Sequence, residues 1–354
     1  MIKKLNLGLV GLGTWAATGH IPIYLQKHLR PHVSLQALCS RSEEKVNNWA
    51  DKYKVPQTFT DYDKMLNESN LDVIAVCTPD HLHTDYVLKA LDKGCHVLVE
   101  KPLALSLEDC RQIIDKSEAT GKKVIVLFHK RADSLWAEAA STARSGQLGD
   151  LQMGSVAIQN SLKVSAGDYF QSNMVESTTP NWFLGTHMYD LIRFITNDDP
   201  IEVRARQYEG TLKEKGLNAP DAIKADVIMK GGGSISFYLS WNLPEGTPTI
   251  TRQEMMLHFS KGELELDGSR RGFYAYTNEG FAFKNPHFLR EANGKWLGYG
   301  AAYLEEALLS LSDDEYQPVT PLATAYDGFW SSATAHAVEE SIKLNKSVVI
   351  SNPN

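Results

Sequence analysis

No apolar stretch of this chain approaches the ~20 residues that a helix needs to cross a bilayer, so the sequence offers no membrane span. Cysteine is scarce. Cys39, Cys77, Cys95 and Cys110 all fall in the first third and lack the close CxxC spacing of a zinc or redox site, so they read as reduced core thiols. Long Lys/Arg runs are missing and the formal net charge is -7, which argues against nucleic acid and anionic membranes as partners. Lys3 and Lys4 before Leu5 to Leu12 mimic the start of a secretory signal, but that stretch is short, broken by glycine and without a small-residue cleavage site. The expected compartment is the cytoplasm. There is no internal repeat and no low-complexity tract.

What is present is a chain of 354 residues, 43% hydrophobic, long enough for two domains. Strand-like runs rich in β-branched and large apolar residues occur at Leu5 to Leu9, Ser34 to Cys39, Val73 to Cys77, His96 to Val99 and Lys123 to Phe128. Helical patterns separate them: Val87, Ala90 and Leu91 precede a stop at Gly94, and Ser106 with Asp109 opens a helix that ends at Gly121. Alternation of this kind implies an α/β fold with a parallel sheet wrapped on both faces. After about Val126 the rhythm changes. A helix around Leu135 to Arg144 leads into strands at Leu151 to Gln159, Glu202 to Tyr208, Ile223 to Met229, Ser234 to Trp241, Glu254 to Phe259 and Glu263 to Leu266, with Gly231-Gly232-Gly233 as a hairpin signal. A second, largely antiparallel domain is expected over 127–354, after a dinucleotide-binding domain over 1–126. A last helix around Gly328 to Leu344 closes the chain before a short strand.

The first run ends on Gly11-x-Gly13-x-x-Ala16. Gly11 permits the tight turn, Gly13 lets backbone approach a pyrophosphate, and Ala16 lets helix and strand pack closely. Alone, the same residues describe a glycine-rich turn of any α/β protein. Pro22 requires the following helix to kink or restart. The second strand leads into Ser40-Arg41-Ser42, where no carboxylate stands to receive a ribose 2′-hydroxyl; a guanidinium and hydroxyls suit a 2′-phosphate, which favours NADP over NAD. The competing reading is that Arg41 stacks on adenine or faces solvent. Val97, Leu98 and Val99 end on Glu100-Lys101-Pro102, placing an amine at a strand's carboxyl end, where ligands of such sheets bind. Strand-end lysines are also commonly only solvated.

These residues resemble the Gfo/Idh/MocA family, that of glucose–fructose oxidoreductase, inositol dehydrogenase and rhizopine catabolism. The resemblance rests on Gly8 to Gly13 followed by His20-Ile21-Pro22, on Thr78-Pro79-Asp80-His81-Leu82-His83, on Ala90 to Pro102, on Ser145 to Gly149, and on Gly185-Thr186-His187-Met188-Tyr189-Asp190. It implies a Rossmann domain followed by an α+β domain with an open, mostly antiparallel sheet whose exposed face forms a homodimer or homotetramer. It also implies reversible hydride transfer between NAD(P) and a hydroxyl or carbonyl carbon of a sugar, polyol or cyclitol. On this resemblance Lys101 takes the position of the catalytic lysine and His187 that of the acid–base histidine. Gly11, Gly13, Thr14, Trp15, Ser40, Arg41, Thr78, Pro79, His83 and Glu100 fall where the family lines its cofactor, beside Lys101 itself.

A lysine desolvated beside a cationic nicotinamide loses some affinity for its proton and is suited to exchanging it with a carbinol. Histidine suits acid–base exchange near working pH, though from its neighbours alone His187 reads better as a core histidine on a helix. The amine and the imidazole are expected to converge on one nicotinamide face. His81 and His83 form an His-x-His pair without a third clustered ligand, so no metal is expected. Tyr169, Trp182 and Phe183 are candidates for packing on a sugar's C–H surface, with His187 and Asp190 as polar contacts; aromatic residues of this kind equally serve cores. Tyr299 and Tyr303 are candidates for closing the cleft. One departure stands out: many family enzymes carry aspartate four residues before the histidine, and Phe183 is there instead. A phenyl ring neither transfers a proton nor accepts a sugar hydroxyl. A non-catalytic NAD(P) sensor and a redox-assisted lyase or glycosidase are therefore the alternative activities.

Overall fold

The computed structural model describes residues 2–353 apart from 167–174, 176, 245, 248, 272, 279, 284 and 286. Its contacts divide the chain into two compact units, 1–133 with 287–329, and 134–286 with 330–354. Residues 134–286 are thus inserted in the first unit, 287–329 returns to it, and 330–354 rejoins the second. The physical reason is apolar burial: Ala301, Tyr303, Leu304, Ala307, Leu308 and Leu311 of helix Tyr299–Ser312 complete the core that Leu5, Leu7, Leu9 and Leu35 begin.

In the first unit the strands β1 (Leu5–Val10), β2 (Val33–Cys39), β3 (Gln57–Phe59), β4 (Val73–Val76), β5 (His96–Val99) and β6 (Val124–Val126) form a parallel sheet in the order β6-β5-β4-β1-β2-β3. The strand Ala323–Thr324 adds an antiparallel edge beside β6. Every residue of β4 is buried, as expected for a strand covered on both faces by helices. The strand order reverses at β1, between β2 and β4, which fixes the crevice outside their carboxyl ends as the ligand position of such a sheet. The helices between strands start and stop by local chemistry: the Ser106 hydroxyl accepts from Asp109 N, and Gly121 caps the same helix at φ +65°. β3 and the helix Glu43–Tyr53 lie outside the elements expected from the sequence, although Val46, Trp49, Ala50 and Tyr53 of that helix fall at helical spacing.

The second unit holds β7 (Leu151–Ser161), β8 (Pro200–Tyr208), β9 (Ala222–Met229), β10 (Ser234–Leu243), β11 (Thr251–Phe259) and β12 (Gly262–Asp267) in the order β12-β11-β7-β10-β9-β8, antiparallel except where β10 runs parallel to β7. The β9–β10 hairpin turns at the three glycines, with Gly232 at φ +95° and Met229 N donating to Gly233 O. One face of this sheet is buried through Val156, Ile158, Ala225, Val227, Ile235 and Phe237. Among the described residues no helix is long and apolar enough to cross a membrane.

Candidate active site

The first unit builds its site at the carboxyl ends of β1, β4 and β5. Gly11 leaves β1 at φ +90°, and a Cβ there would collide with the Cys77 carbonyl at the end of β4. Glycine at that position is therefore demanded by the protein's own backbone. Gly13 differs: it is exposed, and a Cβ on it would meet nothing within 4 Å. Nothing among the described residues explains Gly13, whereas the approach of a pyrophosphate does. Thr78 adds a second mark of the same kind, since its buried Oγ1 has no hydrogen-bond partner among the described residues. The residues at this crevice accordingly fit a dinucleotide.

After Gly13 the chain turns helically at Thr14 and Trp15, widens into a π-helical stretch Ala16–His20, and restarts as a short α-helix Ile21–Tyr24 with Pro22 in its first turn. That restart is the expected accommodation of Pro22. It also turns three side chains inward. Trp15 Nε1 donates to Glu100 Oε1 at 2.7 Å, and His20 Nε2 lies 2.8 Å from the same oxygen. His20 Nδ1 sits 2.7 Å from the Tyr24 hydroxyl. Burial holds the Tyr24 phenol far above its ordinary pKa, and since the Glu100 carboxylate only accepts, His20 Nε2 is the donor of its pair. Burial pushes the Glu100 carboxyl upward, but the His20 hydrogen bond and the neighbouring positive charge, that of Lys101 included, outweigh it and hold Glu100 at about 2. Lys101 is also lowered, but here burial is the cause, acting against the opposing charges of Asp80 and Glu100.

An aromatic group stands beside this pair. Trp15 stacks on Phe288 at 5.7 Å and 5°, and a Cβ at Gly19 would press on the indole. His129, just past β6, stacks on Tyr299 at 5.8 Å and 14°, and burial with the adjacent Lys130 charge drives its pKa down to about 3. Sequence reasoning passed over Tyr24, His129 and Phe288, and took His20 only as part of the family resemblance. The four-residue spacing of His20 and Tyr24 was a readable signal, as was the strand-end position of His129; Phe288 carried none.

Of the sequence candidates, Gly13, Thr14, Arg41 and Pro79 are exposed, while Gly11, Trp15, Ser40, Thr78, Glu100 and Lys101 are half-buried in the first unit. Ser40 and Ser42 spend their oxygens on the turn itself, Ser40 Oγ accepting from Ser42 N and Ser42 Oγ capping the next helix at Lys45 N. His83 is fully buried against two backbone carbonyls, an arrangement that leaves no lone pair for a metal. Among the described residues no group of three His, Cys, Asp or Glu side chains is placed to hold a metal ion. Tyr303 is also fully buried, donating to Val126 O and accepting from Ala323 N. It is a strut of the first unit, which corrects its reading as a cleft-closing residue. A cavity of about 480 Å³ lined by Glu118, Lys123 and Tyr326 lies at the amino end of β6. The site residues do not reach it.

In the second unit His187 is the second residue of helix Thr186–Thr196, half-buried while most of that helix is packed. Asp190, at 1% exposure, belongs to the interior. Trp182 is half-buried, and Phe183 packs against Val175, Leu212, Ala219 and Trp241. Asn181 locks the approach to this helix: its Nδ2 donates to Ala335 O and Glu339 Oε1, and its Oδ1 accepts from the Tyr189 hydroxyl. Tyr169 lies outside the described residues.

The parallel sheet with its glycine turn at the reversal of strand order defines a dinucleotide-binding protein of Rossmann type. Family models agree: residues 5–128 match the oxidoreductase family with NAD-binding Rossmann fold, and 136–265 match the GFO/IDH/MocA C-terminal domain. The chain belongs to the Gfo/Idh/MocA oxidoreductase family. It is 26% identical to D-glucoside 3-dehydrogenase of Escherichia coli over 60% of this chain and 61% of that enzyme, so the match spans under two thirds of that relative. It is 24% identical to 1,5-anhydro-D-fructose reductase of Ensifer adhaerens over 85% of this chain and 86% of that one. Its fold is similar to that of scyllo-inositol dehydrogenase of Lactobacillus casei, solved with NAD(H) and scyllo-inositol, at TM-score 0.80 and 18% identity over 98% and 99% of the two chains.

Proposed function

We propose that the protein is an NADP-preferring oxidoreductase that transfers hydride between nicotinamide and a hydroxyl or carbonyl carbon of a sugar, polyol or cyclitol. The observation that carries this reading is Lys101. It stands at the carboxyl end of β5 with a depressed pKa, next to a carboxylate held ionised, in the unit whose glycine turn leaves room for a pyrophosphate. A bound nicotinamide supplies or accepts the hydride. Oxidation of a carbinol also requires that the hydroxyl proton leave, and an amine with a weakened hold on its own proton takes it; in reduction the ammonium returns it and steadies the developing alkoxide. His187, by its place in the family segment, is assigned the second acid–base role. The carbohydrate class is supported by the names of the relatives, which act on a glucoside, an anhydrofructose and inositols.

Arg41, exposed on the turn after β2, supports NADP over NAD. The cytoplasm is proposed from the reading of the four cysteines as reduced core thiols, and a homo-oligomer from the exposed apolar residues on the open face of the second sheet. The test is a panel of sugars, polyols, cyclitols and their keto forms with NADP(H) and NAD(H). Turnover is expected, and Lys101→Met should lower kcat by about 10²- to 10⁴-fold while nucleotide binding, followed by NADPH fluorescence, persists. Full activity in that variant overturns the assignment. Nucleotide binding without turnover on any member of the panel transfers the protein to the sensing class.

A further inference from the structure

His83 begins helix His83–Asp92 and is 0% exposed. Each of its ring nitrogens faces a backbone carbonyl: Nδ1 is 2.6 Å from Pro102 O, and Nε2 is 3.0 Å from Thr78 O. Carbonyl oxygens only accept. Both nitrogens must therefore donate, and only the imidazolium carries two N–H groups. In a neutral ring one nitrogen lone pair would point at a carbonyl lone pair in a site shielded from water, which forfeits a hydrogen bond and leaves a buried polar group unpaired. Two carbonyl dipoles at these distances offset the desolvation that an unbonded buried cation would bear in full.

We infer that His83 is a buried imidazolium that staples the exits of β4 and β5 together and thereby positions Lys101. Thr78 lies just past the end of β4, and Pro102 directly follows Lys101. On the other flank of Lys101, Glu100 is pinned by Trp15 and His20. The backbone that carries the amine is thus fixed on both sides, and a group acting through Pro102 O is a positioning residue. The protonation state of His83 stands on geometry alone; its effect on turnover rests on Lys101 being the proton-exchange group.

The test uses the whole protein labelled with 15N-histidine at pH 8, the His83 signals being assigned by their loss in His83→Gln. Two protonated nitrogens on that ring are expected. A single-proton His83 ring overturns the inference. Its kinetic arm compares His83→Gln, which keeps a donor, with His83→Leu, which keeps none. The expected fall in kcat is about tenfold and about a hundredfold respectively, with KM little changed, as misplacement of a catalytic group by an ångström would give. Undiminished kcat in either variant overturns the positioning role, and the glutamine variant carries that test if the leucine variant fails to fold. Should Lys101→Met retain turnover, the reading of Lys101 fails, and the NMR result still decides the imidazolium.

Discussion

Arg41 illustrates what one residue can decide. It is exposed on the turn after β2, and on the proposed NADP preference its guanidinium would receive the 2′-phosphate beside the Ser40 and Ser42 hydroxyls, whose oxygens accept from backbone N–H groups while their O–H groups can still donate. Arg41→Ala should weaken NADPH binding by about 1.5–3 kcal/mol more than NADH binding, the size of a charge-assisted contact; titration of both nucleotides measures it, and equal losses show that Arg41 does not select. Lys101 was legible because a strand pattern ends on it. Its setting was not, since Glu100 is 85 residues from Trp15 and 80 from His20. Phe183 was noticed for the carboxylate it replaces, and its packing on Trp241 supplies the tertiary reason for an apolar ring there.

At the scale of elements, the turn after β1 separates two uses of glycine. Gly11→Ala sets a Cβ against the Cys77 carbonyl at positive φ and should destabilise the fold by about 1–3 kcal/mol. Gly13→Ala meets open space and should leave the melting temperature nearly unchanged while weakening nucleotide binding. Melting curves with and without NADPH check both; a destabilised Gly13→Ala, or one that binds normally, contradicts the cradle. The turn His129–Ala132 packs its first residue on Phe288 and Tyr299 of the returning segment. With its folded pKa near 3 against an ordinary 6.5, His129 is protonated first in the unfolded chain, so stability present above pH 6.5 is lost as the pH falls toward 3. Glu100, about 2 against 4.5, adds a loss of the same sign between those values. His129→Phe should therefore lose less melting temperature than the parent between pH 7 and pH 4.5. An equal loss would remove His129 from the acid limb.

For the whole molecule, the periods of two and of 3.6 residues were enough to read both sheets and most of the helices. The return of 287–329 was hidden, because a helix with burial on so many sides has no one-sided stripe to announce its partner. The open face of the second sheet presents Met153, Ile228, Tyr238 and Met256, at 58%, 37%, 43% and 38% exposure, an apolar set that assembly would cover. Strand register places them all on the face opposite the core residues. Sedimentation is expected to find a dimer or tetramer, and Ile228→Glu with Tyr238→Glu should reduce it to monomers. A parent protein that is already monomeric refutes that assembly.

The sequence by itself determined the order of elements, the glycine turn and the lysine at the end of β5, because these depend on local period, φ preference and strand termini. Only the tertiary structure decided how Glu100 is held, that His83 faces two carbonyls, and that a Cβ at Gly11 would meet the Cys77 carbonyl while one at Gly13 would meet open space. Those facts depend on which distant atoms meet, and on whether a position faces packed backbone or open space, which spacing along a chain does not encode.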